Sequence, residues 1–220
     1  MNQRIDAILF DLDGVLLDSK SAFYVTVHDF FKQHGLNPPT YPQVLRQIDK
    51  ISLRQILLSL LPSNLRNPGF LELAAKEINY SYTHDFLPKF ATEVRGSTRF
   101  VAELKDRQIR TGIITNGTSS MLNAYLRKFS VNVDIAFSSE DVKPKPSPEG
   151  ILKALTILGV EGYKAIFCGD STTDILAGRS AGTRTVGVLS GVGTRADLEK
   201  AGADLIVENV THLKSILRDT

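Results

Sequence analysis

Two aspartates near the start of the chain, Asp11 and Asp13, have the type and spacing to do chemistry. They follow an apolar run in the stretch ILFDLDGVLLDS, residues 8–19, and Gly14 comes directly after them. A carboxylate can be the nucleophile in phosphoryl transfer, and a neighbouring carboxyl can protonate the leaving oxygen and later deprotonate a water. A lone pair of this kind is more often a solvated loop or a helix cap, so the hypothesis depends on what accompanies it.

A second pair of acids, Asp170 and Asp174, lies in the stretch GDSTTD, residues 169–174. Four carboxylates gathered in one crevice repel one another strongly unless a cation joins them. Oxygen ligands with no histidine or cysteine nearby suit Mg²⁺. We therefore expect Mg²⁺ as a cofactor, held by Asp11, Asp13, Asp170 and Asp174.

Two further stretches offer partners for a phosphoryl group. TNG supplies the Thr115 hydroxyl and the backbone N–H groups of Asn116 and Gly117, at the start of a predicted helix. DVKPKPSPEG, residues 141–150, supplies Lys143 as a point charge for phosphoryl oxygens. Each stretch alone is ordinary turn or loop sequence, but together they predict a phosphate site.

Alternating strand and helix patterns place these residues at strand ends. Strands are predicted at 7–11, 110–115, 164–170 and 183–189, with weaker candidates at 134–141 and 203–209. Helices are predicted at 97–107, 119–128, 148–158, 173–181, 195–201 and 211–218. The alternation predicts an α/β fold with a parallel sheet covered by helices on both faces. Because ligands of such sheets bind beyond the carboxyl ends of the strands, the polar sets should converge on one crevice.

Residues 17–90 break the alternation, with helical periodicity and no convincing strand. A crossover between parallel strands needs only one helix, so several helices here predict an inserted helical bundle. We expect a core made of 1–16 and 93–220 and a helical cap at 17–92, with hinges near 17–19 and 89–96.

The composition excludes several other classes. The chain has 220 residues, 42% apolar and 23% charged, with a net charge of +2 and no basic block, so neither nucleic acid nor a membrane is an expected partner. The N-terminal apolar stretch is too short for a signal peptide, and no apolar run approaches the ~20 residues of a membrane span. One cysteine, Cys168, suits a cytoplasmic protein. We expect a monomer or homodimer acting on a small phosphorylated metabolite.

Taken together, the motifs resemble those of haloacid dehalogenase-superfamily phosphatases. DLDGVLLDS, TNG, KPKPSP and GDSTTDILAGRSAG occur in family order between Asp11 and Gly182. The resemblance implies a Rossmann-like core with a mobile helical cap. It also implies that Asp11 is the nucleophile, and that Asp13 is the general acid and base and ligates Mg²⁺ through its backbone carbonyl.

The remaining motif positions take their roles from the same resemblance. It implies that Thr115 and the N–H groups after it hold the phosphoryl oxygens, and that Asp170 and Asp174 bind the metal, Asp174 directly or through water. Lys143, the first lysine of KPKPSP, matches the family lysine, and Lys145 falls at a variable position.

The presence of Asp13 favours an oxygen leaving group, because the resemblance implies that dehalogenases lack this second aspartate. The C-terminal segment is similar to that of phosphoglycolate phosphatase-like members, but hexose-phosphate hydrolases, pyrophosphatases and phosphomutases share it. Phosphatase and phosphomutase therefore both stay open, and a non-enzymatic phospho-receiver module is a remote alternative. Substrate choice is expected to lie with cap residues, for which the candidates are Arg54, Lys20 and Lys50.

Overall fold

The first strand, β1 (Ala7–Phe10), is buried along its whole length, as expected of a strand covered on both faces. The structure is a computed structural model that describes residues 4–48 and 52–217. Its other strands are β2 (Leu17–Asp18), β3 (Thr92–Glu93), β4 (Arg110–Ile114), β5 (Ile135–Phe137), β6 (Ala165–Gly169), β7 (Arg184–Val188) and β8 (Leu205–Val207).

Six of these strands form one sheet in the order β5-β4-β1-β6-β7-β8. Every neighbouring pair is parallel. The register sets Leu9 of β1 beside Gly112 on one side and Phe167 on the other. The predicted α/β class is therefore confirmed, and both weak strand candidates are strands. β1 lies in the middle of the sheet, with β4 and β5 on one side and β6, β7 and β8 on the other. In such a sheet a crevice opens at the carboxyl ends of the strands where the strand order reverses.

Helices pack on both faces of this sheet. The helices that follow β3 are α6 (Ser97–Asp106), α7 (Ser119–Phe129), α8 (Glu149–Leu158), α9 (Thr172–Ser180), α10 (Arg195–Ala201) and α11 (Leu213–Ile216). Leu9 belongs to a buried apolar cluster with Ile151 of α8 and Ala177 of α9. Phe10, on the opposite face of β1, meets Phe100 of α6 edge to face, with ring centroids 6.3 Å apart.

The chain divides into two compact units, Met1–Asp18 with Glu93–Thr220 and Ser19–Thr92. We call them the sheet unit and the helical unit. The described part of the helical unit contains α1 (Lys20–Gln33), α2 (Tyr41–Leu45), α3 (Leu53–Leu60), α4 (Pro68–Ser81) and α5 (Leu87–Phe90). The division into a catalytic core and a cap at the boundaries expected from the sequence stays a prediction.

Apolar residues at helical spacing hold the helical unit together. Val27 and Phe31 of α1 are buried with Leu57 of α3 and Leu71 and Ile78 of α4. Ser52 and Asn67 cap α3 and α4, where each side chain accepts a hydrogen bond from a backbone N–H of the first turn. No helix in 4–48 or 52–217 is long and apolar enough to cross a membrane.

The prediction of no strand in 17–90 is wrong at its first two residues. β2 and β3 form a separate two-stranded sheet. The chain reaches β2 through a tight turn in which the Gly14 N–H donates to the Leu17 carbonyl at 2.7 Å. A two-residue strand is too short to produce the alternating pattern by which strands are recognised in sequence.

Candidate active site

Three aspartates meet at the carboxyl end of the central strands. Asp11 follows β1, and its N–H donates to the Cys168 carbonyl of β6 at 2.8 Å. Asp170 follows β6, and Asp174 lies in the first turn of α9. All three are buried, and one carboxylate oxygen from each lies within 4.8 Å of the others. The sheet order therefore brings residues far apart in sequence into one acidic cluster.

Lys145 joins this cluster. Its Nζ lies 2.6 Å from Asp11 Oδ1 and 2.6 Å from Asp174 Oδ1, and its side chain is 3% exposed. The prediction that Lys143 is the site lysine is wrong for this structure. The Lys143 side chain is 79% exposed, and its Nζ lies 3.6 Å from Glu149 Oε2.

Asn116 explains why Lys145 rather than Lys143 reaches the cluster. The Lys145 N–H donates to Asn116 Oδ1 at 2.8 Å, and Asn116 Nδ2 donates to the Lys145 carbonyl at 3.1 Å. The two bonds hold the Lys145 backbone against the end of β4. The two Lys-Pro pairs look alike in sequence. The signal that separates them is position, because Lys145 begins the run Lys-Pro-Ser-Pro that leads directly into α8.

Burial and repulsion from neighbouring carboxylates raise the pKa values of Asp11 and Asp170. Burial raises the pKa of Asp11 well above its usual value, against the opposing effect of Lys145. Burial and the Asp174 charge raise the pKa of Asp170 to about 7, against the Val192 N–H that donates to it. Burial lowers the pKa of Lys145, but the Asp11 and Asp174 carboxylates outweigh that effect and raise it above its usual value. The two carboxylates therefore favour the charged form of Lys145.

The charges leave room for a divalent cation. Three carboxyl groups face one ammonium in a buried space, and a divalent cation would favour their ionised forms. Oxygen-only donors of this kind suit Mg²⁺, which also keeps waters and binds phosphate oxygens. The residues present therefore fit the expected ion. Asp13 is half-buried, outside this group of three, and close enough for its charge to raise the pKa of Asp170.

The TNG stretch follows β4, the neighbour of β1, as predicted. Thr115 is 2% exposed. The Gly117 N–H, expected to donate to a phosphoryl oxygen, donates to Thr115 Oγ1 at 2.9 Å. This bond orients the Thr115 hydroxyl, which retains its own proton for donation. The side chain of Asn116 has a role that the sequence did not indicate, because it holds Lys145.

Two of the three candidate substrate-selecting residues lie in the helical unit. Lys20 begins α1 and Arg54 lies in α3, both within the helical unit. Lys50 lies outside the described residues. The role of all three stays a prediction.

Comparison with known proteins adds three findings. The sequence model of the family described as haloacid dehalogenase-like hydrolase matches residues 8–188. A pyrophosphatase, PpaX of Bacillus cereus, is 27% identical over 230 residues, covering 98% of this chain and 98% of that protein. The structure of a provisionally named haloacid dehalogenase-like hydrolase from Bacteroides fragilis has a TM-score of 0.84 and 26% identity, covering 96% of this chain and 100% of that one.

One more solved structure has the same fold. A protein from Thermotoga maritima, provisionally named a beta-phosphoglucomutase, superposes with a TM-score of 0.78 at 23% identity, covering 98% of this chain and 100% of that one.

Proposed function

Because the chain belongs to the haloacid dehalogenase-like hydrolase family and is a phosphatase, we propose that it hydrolyses a small-molecule phosphate monoester with Mg²⁺, through a phosphoryl group carried on Asp11. The observation that carries this proposal is the buried contact of Lys145 with both Asp11 and Asp174, beside Asp170.

The first step transfers the phosphoryl group to the protein. An Asp11 carboxylate oxygen attacks phosphorus, the bond from phosphorus to the ester oxygen breaks, and Asp13 gives its proton to that oxygen. Lys145 favours the ionised form of Asp11 and faces the charge of the phosphoryl oxygens. The Thr115 hydroxyl and the Asn116 N–H donate to those oxygens.

The second step regenerates Asp11. Asp13, now ionised, takes a proton from a water molecule, and the water oxygen attacks phosphorus. The bond from phosphorus to the Asp11 oxygen breaks, which releases inorganic phosphate and leaves Asp11 as a carboxylate and Asp13 protonated. Asp13 is suited to moving protons because it is half-buried, whereas Asp11 is held in an ion pair with Lys145. Mg²⁺ on Asp11, Asp170 and the Asp13 carbonyl, with Asp174 direct or through water, would supply charge that lets an anionic phosphate approach these carboxylates.

The test of the nucleophile is Asp11→Asn, which preserves the shape of the side chain and removes its charge. We expect turnover of p-nitrophenyl phosphate to fall by on the order of 10⁴-fold or more, as for other essential nucleophiles. Circular dichroism and the unfolding midpoint should show a folded protein. Turnover within tenfold of the wild type would exclude Asp11 as the nucleophile.

Two other substrates are supported by particular relatives. The Bacillus cereus relative is named a pyrophosphatase, and the Thermotoga maritima protein of the same fold is provisionally named a beta-phosphoglucomutase. A pyrophosphatase expels phosphate, a leaving group that needs less help from a proton than an alkoxide does. Asp13→Asn should therefore slow hydrolysis of alkyl phosphates far more than hydrolysis of pyrophosphate.

A phosphomutase transfers the phosphoryl group to a sugar hydroxyl instead of water. A panel of small phosphate esters, sugar phosphates and pyrophosphate, assayed for phosphate release with Mg²⁺ and with chelator, separates the three activities. Phosphate release from none of them, with isomerisation of a sugar phosphate, would favour the mutase.

A further inference from the structure

The loop after β7 encloses Asp170. The Val192 N–H donates to Asp170 Oδ2 at 2.7 Å, and the Gly193 N–H donates to the Asp170 carbonyl at 3.0 Å. Gly191 has no room for a side chain, since a Cβ there would overlap the Asp170 carboxylate. The loop therefore holds Asp170 by both its backbone and its side chain, which limits rotation of the carboxylate.

Ser190 ties this loop to the turn that follows β1. Its Oγ donates to the Gly14 carbonyl at 2.6 Å. Gly14 has a φ of +76°, and a Cβ on it would lie 2.5 Å from Asp170 Oδ2 and 2.7 Å from Gly191 Cα. The turn, the Asp170 carboxylate and the loop are thus in close contact, and the Ser190 hydroxyl links the two segments that flank the carboxylate.

We propose that Ser190 is a positioning residue for the cation site, acting through the Gly14 carbonyl and the Gly191–Gly193 loop to fix the Asp170 carboxylate. The inference rests on the proposed function, because it assumes that Asp170 binds Mg²⁺. Ser190 acts through the hydrogen bond from its Oγ to the Gly14 carbonyl. Its effect is on cation affinity, as for other groups that orient metal ligands, whose removal typically costs 10- to 100-fold.

A purely structural serine would behave differently. Loss of a structural hydrogen bond lowers the unfolding midpoint but leaves Mg²⁺ affinity unchanged at temperatures where the protein is folded. Loss of a positioning bond lets the carboxylate rotate, which weakens Mg²⁺ binding even in the fully folded protein.

The decisive pair of variants is Ser190→Val and Ser190→Thr, which have the same branched shape and differ in the hydroxyl. Isothermal titration of each protein with MgCl₂, without substrate, gives the Mg²⁺ dissociation constant. We expect Ser190→Val to weaken binding by about tenfold or more, and Ser190→Thr to restore it to within about threefold of the wild type. If Ser190→Val does not fold, Ser190→Ala takes its place in the comparison.

Ser215→Ala is the matched control, since the Ser215 Oγ also donates to a backbone carbonyl, that of His212, at 2.8 Å. Its Mg²⁺ affinity should equal that of the wild type. Equal affinities for Ser190→Val and Ser190→Thr, or equal weakening by Ser215→Ala, would overturn the inference while leaving the proposed function intact. A wild-type protein that binds no Mg²⁺ would overturn the cofactor assignment and this inference together.

Discussion

Both units carry ion pairs at the surface, but among the described residues only the sheet unit also buries charged side chains. In the helical unit, Lys76 Nζ lies 2.8 Å from Glu72 Oε1 one helical turn away, with side chains 74% and 69% exposed. In the sheet unit, Lys145 is 3% exposed and lies between Asp11 and Asp174. Exposed pairs contribute little to stability, whereas burying charges costs several kcal/mol per ion before pairing offsets it.

The difference teaches where to look for chemistry. The apolar cluster of Phe31, Leu57 and Ile78 stabilises the helical unit. The Lys76–Glu72 pair of this unit lies at the surface. The sheet unit has an apolar core of its own and also buries four charged groups at one edge. Strongly perturbed pKa values in such a cluster are typical of functional sites.

Of the tests that compare buried with exposed charges, the largest effect is expected from replacing each lysine of KPKPSP in turn by alanine. Lys145→Ala should lower kcat for p-nitrophenyl phosphate by about 10²- to 10³-fold, because it removes a preorganised cation that stabilises the phosphoryl oxygens. Lys143→Ala, the matched control, should stay within about twofold, since Lys143 pairs only weakly with Glu149 at the surface. A larger loss in Lys143→Ala than in Lys145→Ala would restore the assignment made from sequence.

A smaller effect should appear in the pH dependence of stability without Mg²⁺. The pKa of Asp170 is about 7 in the folded protein and about 3.9 in an unfolded chain. Between these values the folded state keeps a proton that the unfolded state has lost, so the stabilisation is complete below pH 4 and is lost as pH rises towards 7.

Urea unfolding in chelator at several pH values measures this effect. From pH 5 to pH 7 the free energy of unfolding of the wild type should fall by up to about 1.4 kcal/mol per pH unit relative to Asp170→Asn. Mg²⁺ should bind more tightly as pH rises and should release protons on binding. A constant difference between the two proteins would mean that Asp170 is ionised throughout this range.

The smallest effect is expected on the helical unit. Lys76→Ala removes the pair with Glu72, but water and salt screen both groups. The urea midpoint and the kcat should match those of the wild type within error, at low and at high salt. A clear loss of stability would show that surface charges of this unit matter as much as buried ones of the other.

Much of the sheet unit could be predicted from sequence because its strands are buried on both faces and read as apolar runs. The four motifs in order along the chain were sufficient to predict the family, which the family match confirms. Of the acids placed at strand ends from sequence, Asp11, Asp170 and Asp174 lie together. The two-residue strands β2 and β3 could not be predicted, because they carry no periodic pattern.

The choice between Lys143 and Lys145 depended on a tertiary contact. The bonds from Asn116 to the Lys145 backbone join segments 29 residues apart in sequence. The contact itself cannot be predicted from local sequence, and residue type and propensity do not distinguish the two lysines. The only sequence signal is the position of Lys145 at the start of the Lys-Pro-Ser-Pro run. The Gly117 N–H was also misassigned, although its partner, the Thr115 hydroxyl, lies only two residues away, because the sequence does not show which acceptor a turn N–H takes.

The most direct test of the central claim is to trap the phosphoryl group on the protein. The reaction is quenched with acid during turnover, and borohydride then reduces any aspartyl-phosphate to homoserine. Peptide mass spectrometry identifies the position of the homoserine. We expect homoserine at residue 11 in the wild type and none in Asp11→Asn. Homoserine at another aspartate, or none at any position in repeated quenches across the steady state and the first turnover, would contradict Asp11 as the carrier of the phosphoryl group.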